Sequence, residues 1–144
     1  MLWKRVKRSE STTKVPYQPN GDPASSTNDA TWSDFASVMG AYLQNINFAG
    51  VGFVFSVDDP YVGIDLDKCR DLATGEVEPW AVDMLSRFKT YTELSPSGTG
   101  FHLIGKSKLP NKGRRKSQIE MYDSGRYFTV TGDHYGPSEA DVLG

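Results

Sequence analysis

Apolar and polar residues alternate along this chain with two different periods. Residues 2 to 7 read as a short strand, and the following KVPYQPNGDPASSTND, rich in Pro, Ser, Asn and Gly, reads as irregular surface chain. Trp32, Phe35, Met39 and Leu43 then recur at helical spacing, and the Thr31 hydroxyl, with Asp34 three residues on, predicts a cap for a helix starting near Thr31. GVGFVFSV and YVGIDLD are two apolar strands joined by the turn DDP. Pro79 suits a first helical turn and opens a second helix, in which Trp80, Met84 and Phe88 form the predicted buried stripe. YTELS, FHLIGKS, QIEMYD and RYFTVTG follow as four short strands separated by Gly-containing turns. The order predicts an α+β fold with an antiparallel tendency in its second half. Trp32, Phe35, Trp80 and Phe88 belong to the expected core rather than to a base-stacking platform. The closing PSEADVLG reads as the opening of a helix that is cut off, as in a piece of a longer protein.

With 144 residues, 38% of them hydrophobic, the chain has material for one core and one domain, 1–144, with room for two sub-lobes. No apolar run approaches the roughly 20 residues needed to cross a bilayer, so no membrane partner is expected. The basic start MLWKRVKR lacks a following apolar region and a cleavage site, which makes the cytoplasm the expected compartment. Cys69 is the only cysteine, which excludes an internal disulfide; with only His102 and His134 beside it, it reads as a packing residue rather than a zinc ligand.

Net charge is −2, but the charges are segregated. Four of the sixteen basic residues lie in KRVKR. Six more (Lys106, Lys108, Lys112, Arg114, Arg115 and Lys116) fall between 106 and 116 with no acid among them. Acids gather elsewhere, including the run from Asp58 to Asp71. Such separation suggests a cation site in one place and a polyanion track in another, although either basic run alone is equally a solvated loop.

Alternation gives the acids their meaning. In extended chain Asp65 and Asp67 project from one face while Val62, Ile64 and Leu66 take the other, so two like charges are held side by side. A lone D-x-D is a weak signal, and Glu120 strengthens it: this third acid faces away from Ile119 and Met121 on its own strand. Three carboxylates on neighbouring strands make an oxygen cage suited to magnesium or manganese. Glu120 alone is equally an ordinary solvent-face residue. Between these strands, in SPSGTGFHLIG, Gly98 and Gly100 let backbone approach a ligand closely. Ser97 and Thr99 supply hydroxyls there, and His102 begins a strand. Backbone N–H groups in such a turn are able to hold phosphate oxygens, though no Gly-Lys-Ser follows and a strand comes next, so this is not a Walker loop. A tight hairpin followed by a satisfied histidine is the plainer alternative.

VGIDLD, SGTGFH and IEMY occur in the order shown by the archaeo-eukaryotic primase superfamily: an apolar strand ending in D-x-D, a small-residue stretch ending in His, and a later strand bearing one acid. With KVPYQPNG, ASSTNDATW, YTELSPSG and SGRYFTVTG around them, the chain resembles the bifunctional primase-polymerase domains of phages, plasmids and other mobile elements. The resemblance runs through most of the chain. It implies a central mixed, largely antiparallel sheet of RRM-like type with flanking helices and a smaller N-terminal α/β lobe. It also implies template-directed nucleotidyl transfer with two magnesium or manganese ions held by Asp65, Asp67 and Glu120. His102 would contact the incoming nucleotide's phosphates, Ser97, Gly98, Thr99, Gly100 and Arg126 would hold the nucleotide, and Lys106 to Lys116 would track DNA. Single-stranded DNA template, primer and nucleoside triphosphates are the implied partners, with a helicase domain or protein in the parent replication system and, for a phage-encoded chain, the host cytoplasm as its compartment. Zinc-binding cysteines and the helical domain that usually follows the catalytic core are missing.

Two other classes stay open: a sugar-nucleotide transferase using D-x-D through manganese, which gives no account of the basic stretch, and a non-catalytic nucleic-acid-binding replication module, against which the intact Asp65, Asp67, Glu120 and His102 argue. A rolling-circle nuclease is disfavoured because its usual pair of adjacent metal-binding histidines is absent.

Overall fold

A computed structural model describes residues 1–45, 47–107, 109 and 113–136. The chain divides into two compact units: Met1–Val54 with Gly125–Val130, and Phe55–Ser124 with the residues from Thr131. The α+β class holds.

The first unit is built on a four-stranded sheet, β2-β1-β3-β9, from β1 (Leu2–Arg8), β2 (Ser11–Tyr17), β3 (Gly50–Phe55) and β9 (Arg126–Val130). β2 corrects the expectation of irregular chain beyond residue 14. Arg8 pairs with Ser11 across a two-residue turn in which Ser9 takes a φ of 51°, the positive value that tight hairpins need. Pro16 is tolerated because β2 is an edge strand.

Helix α1 (Phe35–Gln44) starts later than expected. Asp34, not Thr31, caps it by accepting from the Ser37 N–H at 2.7 Å. A 3-10 turn at Asp29–Thr31 precedes it, where the Thr31 hydroxyl donates to the Asn28 carbonyl at 2.7 Å. That shift rotates the buried stripe. Val38, with Ala41 and Tyr42, packs on Leu2, Phe48, Tyr17 and Val51, while Phe35 and Leu43 are both 77% exposed. Phe35 is therefore not core. Trp32 is half-buried, with its indole N–H donating to the Ser25 carbonyl at 2.7 Å.

The second unit carries a five-stranded sheet in the order β5-β6-β4-β8-β7. Its strands are β4 (Tyr61–Leu66), β5 (Tyr91–Leu94), β6 (Phe101–Lys106), β7 (Gly113–Lys116) and β8 (Ile119–Tyr122). All four neighbour pairs are antiparallel, so this sheet is not mixed. β7 was not foreseen as a strand; its sequence, GRRK, gives no apolar alternation.

β4 and β5 run parallel with β6 between them, joined through helix α2 (Pro79–Arg87), which lies on one face. Ile64, Leu66, Phe101 and Leu103 meet Ala81, Trp80, Met84 and Leu85 there, and Cys69 fills the same core at 1% exposure. Phe88 ends the helix and is 36% exposed, so Leu85 replaces it in the stripe. Burial, then the negative charges of Asp67, Asp65 and Glu78, pushes the Cys69 thiol up to about 11, which keeps it protonated and suits a packing role. Among the described residues no helix is long and apolar enough to cross a membrane. The anticipated C-terminal helix lies outside the described residues.

Candidate active site

Directly opposed residues in an antiparallel sheet share a face. In the five-stranded sheet Glu93 of β5 pairs with His102 of β6, His102 with Asp65 of β4, and Asp65 with Glu120 of β8. One transverse row therefore carries three acids and a histidine on the face turned away from α2. Arg115 of β7 stands at the next register position beside Glu120.

His102 is the hub of the row. Its Nε2 lies 3.7 Å from Asp65 Oδ1 and its Nδ1 lies 3.3 Å from Glu93 Oε1. Glu93 was read in the sequence only as part of a strand. It is fully buried, yet it accepts from the Tyr91 hydroxyl at 3.0 Å and from the backbone N–H groups of Thr131 and Gly132 at 3.1 Å and 2.8 Å. Burial pushes its carboxyl up. The bonds from His102, Gly132, Thr131 and Tyr91 together outweigh that and hold it below its ordinary value. Glu93 is thus an ionised, acceptor-only group, so Nδ1 of His102 carries the proton of their bond and Nε2 is the nitrogen aimed at Asp65. Tyr91 stays a donor, since burial and then the Glu93 charge push its phenol up to about 12.

Asp65 is 29% exposed at its side chain and Glu120 is half-buried. Asp67 is exposed, two residues beyond Asp65, where its N–H still bonds the Gln118 carbonyl at 2.9 Å and prolongs the β4–β8 ladder. The donor set fits a hard divalent ion by its chemistry: carboxylate oxygens, with the β-carbons of Asp65 and Glu120 about 4.5–5.5 Å apart as a direct cross-strand pair. As the side chains stand, no three His, Cys, Asp or Glu groups among the described residues converge as metal ligands.

The turn Ser95–Gly100 joins β5 to β6 and is bonded within itself. The N–H groups of Gly98, Thr99 and Gly100 go to the Ser95 carbonyl, the Ser97 hydroxyl and the Ser95 hydroxyl, at 2.9, 3.3 and 3.2 Å. These donors are engaged rather than open to phosphate; the hydroxyls of Ser97 and Thr99, 2.8 Å apart, are what the turn offers outward. Gly98 needs its φ of 75°. Gly100 is needed for a contact within the protein, because a β-carbon there would run into the Leu66 carbonyl at the end of β4. Bonds from Cys69 and Arg70 N–H to the Thr99 carbonyl, at 2.8 and 3.0 Å, and from Arg70 Nη1 to the Gly98 carbonyl, at 2.8 Å, fasten the turn to the chain leaving Asp67.

The basic run from 106 to 116 is not one continuous stretch. Lys106 ends β6, whereas Arg114, Arg115 and Lys116 lie on β7, an edge strand with β4 and β8 between it and β6. Cations on an edge strand also discourage edge-to-edge pairing. Lys108 and Lys112 lie outside the described residues. Arg126, exposed at the start of β9, belongs to the other unit and is not part of the row.

No protein-family model matches the chain. It is 41% identical over 140 residues to a DNA primase-polymerase of Nitratiruptor phage NrS-1, an alignment that takes in 92% of this chain and 19% of that protein. The chain thus spans about a fifth of the relative's length, and across nearly all of itself it is similar to a phage primase-polymerase.

Proposed function

We propose that this chain is the nucleotidyl-transfer core of a DNA primase-polymerase of phage, plasmid or mobile-element type, in the archaeo-eukaryotic primase superfamily. The observation that carries the reading is the Asp65–Glu120 pair beside the clamped His102, supported by the likeness to the phage protein. Strands β4, β5, β6 and β8, with α2 as the crossover, run in the spatial order 2-3-1-4 of an RRM-like or ferredoxin-like core. In chain order β7 takes the place of that core's second helix, between β6 and β8, but it lies at the sheet edge beside β8.

Two divalent ions, magnesium or manganese, would be held by Asp65, Asp67 and Glu120 and would stabilise the attacking and leaving oxygens of an in-line transfer. The protein's own part is positioning. Asp65 and Glu120 fix negative charge at one spot on a rigid sheet, and His102, its Nδ1 tied to Glu93, presents one orientation of its ring to a triphosphate. Ser97 and Thr99 offer hydroxyls, and Arg126 would add a cation to the nucleotide. Template and primer are single-stranded DNA and its paired strand, nucleoside triphosphates are the substrates, and a helicase activity belongs to the parent system. Base pairing supplies specificity, so no base-reading helix is required.

The test is primer extension on single-stranded DNA with labelled nucleotides and magnesium or manganese, with and without primer. Asp65→Asn is expected to cut incorporation at least 100-fold while the melting temperature is kept. Retained DNA binding without any incorporation by the parental chain would instead make it a binding module.

A further inference from the structure

The β1–β2 hairpin gives Leu2 and Tyr17 to the core at one end and is rich in cations at the other. The register of β1 with β3 covers only Leu2 and Trp3, whereas β1 and β2 stay paired from Leu2↔Tyr17 to Arg8↔Ser11. From Lys4 outward the hairpin is a two-stranded ribbon running past the β1–β3 pairing. Residues 1–17 hold five cations, Lys4, Arg5, Lys7, Arg8 and Lys14, against one acid, Glu10 at the turn.

Register sorts these cations by face. Arg5 lies directly opposite Lys14, and Lys7, two residues on, shares their face with Thr12 opposite it. All three cations are exposed. Opposed like charges on a sheet repel, and here their positions are set from below by one indole. Trp3 is 4% exposed, its N–H donates to the Val51 carbonyl at 3.1 Å, and a β-carbon at Gly50 would strike its ring. The Arg5 guanidinium sits 5.4 Å and the Lys14 ammonium 5.8 Å from that ring's centroid. Tyr127 braces the ribbon from β9 through a 2.8 Å bond from its hydroxyl to the Lys14 carbonyl.

We infer that this face of the ribbon, Arg5, Lys7 and Lys14, is a sequence-independent contact for the phosphate backbone of single-stranded DNA. Arg5 and Lys7 lie about 6.7 Å apart along the strand, at two residues of about 3.3–3.4 Å rise, so the face offers phosphates a row of charge rather than a single point. The turn and the first residues of β2 (Ser9, Glu10, Ser11, Thr12, Thr13) carry no apolar side chain that could anchor in a bilayer. Choosing single-stranded DNA rests on the template role proposed above; the cationic face itself does not.

The test is single-stranded DNA binding, read by fluorescence anisotropy across a salt series without nucleotide or divalent ion. Each phosphate contact on a single strand contributes about 0.7 to the log–log salt slope, so Arg5→Gln, Lys7→Gln and Lys14→Gln together are expected to lower it by about 2 and weaken binding about 100-fold at 0.1 M salt. Arg5→Lys with Lys14→Arg should keep the slope. If the triple variant fails to fold, Lys7→Gln alone, the cation of this face not placed over Trp3, is expected to remove about 0.7. An unchanged slope in a folded variant overturns the proposal, and so does a loss confined to duplex DNA or to anionic phosphatidylserine vesicles. Primer extension on the same samples separates the two readings: a ribbon-dependent slope without incorporation leaves the ribbon standing and the polymerase assignment failed, and incorporation with an unaffected slope does the reverse.

Discussion

The two sides of His102 are built differently. Toward β5 lies Glu93, fully buried and bonded by a phenol, two backbone N–H groups and the imidazole. Toward β4 and β8 lie Asp65 and Glu120, partly exposed, with Asp67 exposed beyond them. The residues are of one chemical kind on one sheet, yet the surroundings make the first a structural anion and leave the others within reach of a ligand. A buried charge is kept only when donors surround it, whereas a carboxylate meant to meet a cation must remain accessible.

Stability measurements should split the two sides. Glu93→Ala strands the imidazole, the phenol and two backbone donors, and is expected to cost about 3–5 kcal/mol, visible as an early thermal melt. Glu93→Gln keeps the shape but loses the charge; about 1–3 kcal/mol is expected at neutral pH. The sign with pH follows from Glu93 being held below its ordinary 4.5. Its contribution is present above about 4.5 and is lost as pH falls through the folded value. Urea unfolding between pH 3 and 7 should therefore show a flatter acid limb for Glu93→Gln than for the parental chain, and parallel limbs would mean that the Glu93 carboxyl titrates alike in the folded and unfolded chain.

The smallest stability effect belongs to the exposed side. Asp67 is exposed, so Asp67→Asn removes a surface charge at little structural cost, and the apo protein should melt within about 0.5 kcal/mol of the parent. Nucleotide transfer should still fall by orders of magnitude. An early melt with normal primer extension would make Asp67 a structural residue and erase the contrast.

What could be read in advance followed from local periodicity. The shared face of Asp65, His102 and Glu120 was legible because alternation with Ile64, Leu66, Ile119, Phe101 and Leu103 fixes a face within a single strand. Glu93 escaped because its meaning lies in cross-strand register and in bonds from Thr131 and Gly132, 38 and 39 residues away. A charged residue between Thr92 and Leu94 in a short strand was the available signal. β2 and β7 were missed because edge strands carry little apolar alternation, and Ser, Thr, Pro or Arg-rich segments read as loop. The α1 stripe failed for a different reason: moving the cap from Thr31 to Asp34 put Val38 inside and Phe35 outside.

The division of the chain also sets an order of events during synthesis. The first unit includes Gly125–Val130, so its sheet lacks β9 until the strands of the second unit have been made. At about 5–20 residues per second, β3 waits several seconds on the ribosome with one edge uncovered. Glu93 waits as well, since the backbone donors of Thr131 and Gly132 emerge after β9. The second sheet is completed by the uninterrupted run from β4 to β8, whereas the first waits for β9 and Glu93 waits for the residues beyond it, so a nascent chain stopped before residue 125 would present an open strand edge and a carboxylate short of two of its partners.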